Sequence, residues 1–134
     1  MKRYISVLLA LVVFFICAVS AYADASPWST STSLKECKLY ISSNVATCTS
    51  EYSDRTGSTT KVEITQTLEK QGFLWIWGTY AGEWTKTTNG SSAALSNKVY
   101  NLESGKYRVK SVFEVTENGV TKTYTVYSSE KTVS

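Results

Sequence analysis

Alternation of apolar and polar side chains with a period of two constrains this chain more than any other feature. Tyr107, Val109, Phe113 and Val115 share one parity, while Arg108, Lys110, Glu114 and Thr116 take the other. Successive side chains of an extended segment point to opposite faces, so this pattern describes a strand with one buried and one wet face. Asn118-Gly119 then supplies the dipeptide that tight hairpins favour. On the returning side Tyr124 and Val126 alternate with Thr123, Thr125 and Tyr127. A hairpin over about 106 to 128 follows.

Weaker copies of the pattern occupy the rest of the chain. Val62, Ile64 and Leu68 line one face of Lys61 to Lys70, with Gln66 the polar exception. The β-branched residues there lose rotamer freedom in a helix and pack well on a pleated sheet. Cys37, Leu39 and Ile41 alternate up to Ser42-Ser43-Asn44, and Ala46, Cys48 and Ser50 alternate beyond it. Asp54 to Ser58 reads as a loop. Gln71-Gly72 turns into Phe73-Leu74-Trp75-Ile76-Trp77, expected as a strand apolar on both faces. Gly78 to Gly90 reads as irregular, and a further strand is expected across about 93 to 102.

About seven short strands at this spacing predict an all-β fold, a single two-sheet antiparallel sandwich of immunoglobulin-like type. The segment Leu102-x-x-Gly105-x-Tyr107-x-Val109 resembles the tyrosine corner of immunoglobulin and fibronectin type III domains. The resemblance implies a Tyr107 hydroxyl bonded back across the sandwich end. Val45 to Cys48, Thr67 to Lys70, Gly105 to Lys110 and Tyr127 to Thr132 also resemble small secreted proteins of Gram-positive bacteria with no assigned function. That likeness implies fold and location, and no activity.

The start of the chain has its own logic. Met1-Lys2-Arg3, the apolar run to Cys17 and Ala21-Tyr22-Ala23 match the three parts of a secretory signal peptide. Ser6 and the small residues near Ser20 make a membrane anchor the poorer reading. Bulky Phe14-Phe15-Ile16 before Cys17 argues against lipoprotein processing. The expected organisation is a signal over 1–23, a Ser/Thr-rich leader over 24–35 that joins an edge strand near its end, and a sandwich domain over 36–134. The product is expected to be secreted, with no stable membrane anchor after cleavage. Removing Lys2 and Arg3 lowers the formal charge from +3 to +1. With no run of like charge, nucleic acid is not an expected partner.

Cleavage leaves two cysteines, Cys37 and Cys48, and an exported pair is expected to oxidise. A two-residue turn at Ser42-Ser43 places the two opposite each other as a cross-strand disulfide, and a slightly longer loop serves equally well. Closing so short a loop stabilises by about 3 kcal/mol on the chain-entropy model.

Composition excludes much chemistry. The chain has no histidine, which removes Ser-His-Asp and Cys-His catalysis and imidazole metal sites together. Paired cysteines remove thiolate chemistry and zinc-thiolate sites. A glycosidase needs two carboxylates; Glu63, Glu69, Glu83, Glu114 and Asp54 are the available set, and solvated strand faces account for them more simply. Calcium needs clustered oxygens, and only Asp54 lies in a suitable loop. Gly78 and Gly82 lack the spacing of a phosphate loop. The protein is expected to be no enzyme, with no metal and no cofactor.

One segment resists this austerity. Phe73 to Trp84 holds three of the four tryptophans. The simplest account packs one ring in the core and uses the others to shield an edge. The functional account makes Trp75, Trp77, Tyr80 and Trp84 an aromatic platform for a glycan or an extracellular protein. A third account sets the rings at a lipid interface, as in a small secreted toxin or bacteriocin-like effector acting on membranes.

Overall fold

Two long strands form the spine of the molecule because their alternation is the most regular. In the computed structural model, which describes residues 33–134, β3 (Thr59–Gln71) and β6 (Gly105–Glu117) pair antiparallel over most of their length. The predicted signal peptide and nearly all of the predicted leader lie outside the described residues. Tyr107, Val109, Phe113 and Val115 all point inward from β6, as the parity requires, and Val62, Ile64 and Leu68 do so from β3.

The remaining strands assemble around this pair. β1 (Ser33–Ser42), β2 (Val45–Asp54) and β5 (Ser92–Val99) make one sheet in the order β1-β2-β5. β4 (Trp77–Thr88) and β7 (Val120–Tyr127) flank the spine in the order β4-β3-β6-β7, and the short β8 (Lys131–Val133) pairs the start of β6. The result is an all-β sandwich of two antiparallel sheets, with eight strands among the described residues against the expected seven. β1 is an edge strand and begins at Ser33, just inside the stretch expected as leader. At the β5–β6 corner the Tyr107 hydroxyl donates to the Glu103 carbonyl at 2.7 Å while Leu102 is buried beneath it. The hydroxyl thus bonds back to the connection that leads into β6, four residues upstream, rather than across the sandwich end.

The core has two apolar halves. One gathers Leu39, Ala46, Leu68, Leu102, Tyr107 and Val109; the other gathers Tyr52, Val62, Ile64, Ala93, Phe113 and Val115. A polar strip crosses between them. Asn97 Nδ2 donates to Gln66 Oε1 (2.9 Å), Gln66 Nε2 donates to Ser50 Oγ (2.7 Å), and the Ser50 and Ser111 hydroxyls bond at 2.6 Å. Ser111 Oγ then donates to Cys37 Sγ at 3.0 Å. The one polar exception in the β3 pattern is thus the centre of a satisfied network, which is what burial of an amide demands.

Two expectations fail here. The β1–β2 turn falls at Ser43-Asn44, both with positive φ (50° and 60°), a conformation that Asn tolerates well. The register consequently moves: Cys37 faces Ser50, and Leu39 faces Cys48. Both cysteines point inward but sit diagonally, where side chains lie roughly 7–8 Å apart, and they are free, buried thiols with no disulfide between them. Burial pushes both thiols up, Cys48 to about 12. The second failure concerns 73–88. The apolar run is a tight 3-10 turn (Phe73–Trp75), and the stretch expected to be irregular is strand β4. A polar edge strand with two bulges opposite β3 has no clean alternation to read.

Candidate functional site

The β3–β4 hairpin closes through two backbone bonds, Gly72 N–H to the Ile76 carbonyl (2.8 Å) and Ile76 N–H to the Phe73 carbonyl (3.3 Å). So short a connection forces Leu74 and Trp75 into the left-handed region, at φ 56° and 59°. That region costs an L-residue about 1–2 kcal/mol. The side chains so held do not enter the core. Phe73, Leu74, Trp75 and Ile76 are 86%, 62%, 77% and 65% exposed. Beside them Phe73, Ile76 and Tyr80 wall a cleft of about 590 Å³ with Lys70 at its margin.

The four predicted aromatic residues do not form one platform. Trp75 stands on the tip. Trp77 lies opposite Gln71, on the outer face of the larger sheet. There the Arg108 guanidinium sits 4.3 Å from the Trp77 ring centre and 4.1 Å from that of Tyr127, a cation held between two π faces. Arg108 Nε also donates to Glu69 at 2.6 Å, with both side chains largely sheltered. Tyr80 turns inward, edge-on to Tyr107 at 5.1 Å. The Trp84 ring covers Gly82 so closely that any side chain at 82 would overlap it.

The outer face of the same sheet carries a second feature. Gly82 lies opposite Thr67 and adds no side chain there, and the register slips past Glu83 before Trp84 meets Gln66. Next to this irregularity is a groove of about 240 Å³ lined by Thr65, Thr67, Thr79, Glu83, Lys110 and Val112, with Glu69 at one side. Bulges of this kind re-aim a side chain. Glu83 has φ 138°, a conformation that costs a non-glycine residue about 1–3 kcal/mol.

Of the carboxylates weighed as catalytic groups, Glu69 and Glu83 share this groove, but Glu69 is committed to Arg108. Asp54 serves its own loop: it accepts from the Thr56 hydroxyl (2.7 Å) and N–H (2.9 Å) and from the Thr59 N–H (2.9 Å) and hydroxyl (3.0 Å). Those bonds, led by the Thr56 hydroxyl, hold its carboxyl well below the usual carboxylate range. Among the described residues no three His, Cys, Asp or Glu side chains cluster as metal ligands. Sequence reasoning singled out Trp75 and Trp77 but missed Arg108, Tyr127 and Lys110. Only the adjacent Gly82-Glu83 at a break in alternation hinted at the groove. No family model matches the chain, and the curated proteins include no match to it.

Proposed function

We propose that this chain is an exported, non-catalytic binding module of immunoglobulin-like type, which engages an extracellular protein through the apolar tip of the β3–β4 hairpin. The observation that carries the reading is Leu74-Trp75, two bulky residues in a left-handed conformation with their side chains in solvent. Backbone strain without a packing return inside the molecule points to a return outside it. A convex cluster of two rings and two aliphatic chains suits an apolar pocket on another protein. A flat sugar face prefers one ring with polar neighbours. The strand order β1-β2-β5 against β4-β3-β6-β7, with the Tyr107 corner, supports the kinship with immunoglobulin and fibronectin type III sandwiches.

Full burial of each tip side chain is worth about 1.5–3 kcal/mol gross. As an interface anchor, Trp75→Ala should cost at least about 2 kcal/mol, roughly 30-fold in affinity. The test uses labelled protein on bacterial cell surfaces before and after protease digestion of those surfaces. Binding should vanish after digestion and weaken with Trp75→Ala. Equal binding by the variant and the parent would end the proposal. Binding that survives digestion and transfers to protein-free liposomes would instead place the tip at a lipid interface, as a membrane-acting effector requires.

A further inference from the structure

The outer-face groove is built independently of the tip and has different chemistry. Its walls are three threonines from β3 and β4, a carboxylate from the β4 bulge and an ammonium from β6, over the apolar side of Val112. Among the described residues Glu83 and Lys110 make no ion pair, and the Thr67 and Thr79 hydroxyls bond no protein group. Glu69, the remaining charge, is neutralised by Arg108. The groove therefore offers hydroxyls, one acceptor and one donor with no net charge. On the same face, Trp77 and Tyr127 hold Arg108 between them.

We infer that this groove is a saccharide subsite, which takes one ring of a neutral oligosaccharide lying across β4, β3 and β6. Sugar hydroxyls both donate and accept, so they satisfy Glu83, Lys110 and the threonines at once; an anionic or cationic ligand leaves one of the two charges opposed. Val112 gives the floor a patch for the C–H face of the ring. The volume is below the roughly 300–1,000 Å³ that encloses a drug-sized ligand, which fits a single ring of a chain whose other units remain in solvent. The bulge explains the rest: Glu83 keeps a conformation suited to glycine because that conformation holds its carboxylate over the groove.

The experiment is a titration of the full chain with neutral and N-acetylated oligosaccharides, preceded by a glycan array and followed by amide NMR. Binding should shift the amides of Thr65, Thr67, Thr79 and Lys110. Glu83→Gly and Lys110→Ala should each weaken affinity at least tenfold, and Glu83→Gly should do so with an equal or higher melting temperature, because glycine relieves the backbone. Trp75→Ala should leave saccharide affinity unchanged, which separates this site from the tip. Absence of binding to any glycan by the folded protein would overturn the inference. So would binding that tolerates both groove substitutions, or capture of extended peptides in the groove in place of sugars.

Discussion

Three hairpin connections in this sandwich place consecutive residues at positive φ, and they differ in what occupies them. The β1–β2 turn uses Ser43-Asn44 and the β6–β7 turn uses Asn118-Gly119 (φ 49° and 76°). Glycine is free to adopt that region, and a short polar side chain can bond its own backbone there. The β3–β4 connection puts Leu74-Trp75 into the same conformation. The first two turns are what folding alone selects. The third does not help the fold, and the proposed contact with a partner rests on that contrast.

Exchanging the turn residues tests this most severely. Replacing Asn118-Gly119 by Leu-Trp should destabilise the domain by about 2–4 kcal/mol, two residues at about 1–2 kcal/mol each, read by urea denaturation. The reverse exchange, Leu74-Trp75→Asn-Gly, should stabilise by about 1–2 kcal/mol, several degrees in Tm for a domain of this size, because the relief of the backbone outweighs the small covered part of the two side chains. Were that exchange destabilising instead, the tip would be a structural element and the contrast would fall.

A smaller effect concerns the β2–β3 loop, which is held by a side chain. Asp54→Asn should lower the melting temperature at neutral pH. The folded carboxyl is depressed, so its contribution is present above the unfolded value of about 3.9 and is lost as pH falls through the folded one. The gap between variant and parent should therefore shrink only below about pH 4. The smallest expected signal is none at all: Cys37 and Cys48 in the folded domain should not react with a thiol reagent at neutral pH, and both should react after unfolding. A disulfide recovered from the native domain would contradict the register described above.

The fold was legible wherever one strand face is apolar and the other is not. The β6–β7 hairpin and the inward set of β3 follow from parity, and the Tyr107 corner from a short spacing. β4 was not legible, because two bulges break its phase and Thr and Gly fill half of its positions, so its apolar residues Trp77, Tyr80, Ala81 and Trp84 keep no regular alternation. Phe73 to Ile76 misled for the opposite reason: an apolar run reads as buried strand, although here it is a turn. The β1–β2 register depended on which two residues turned, and Asn44 in the left-handed region decided it. The groove left almost no trace, since threonines on an outer face look like ordinary solvated sheet.

The chain of hydrogen bonds through Asn97, Gln66, Ser50, Ser111 and Cys37 has a consequence for how the two sheets find each other. Greasy surfaces are forgiving and slide; a row of directional partners is not. Displacing one layer by a single side-chain step would strand the Gln66 amide against aliphatic groups, at about 1–3 kcal/mol for each polar atom left alone. The strip thus works as a locating pin, giving the sandwich one alignment where oil on oil would permit several.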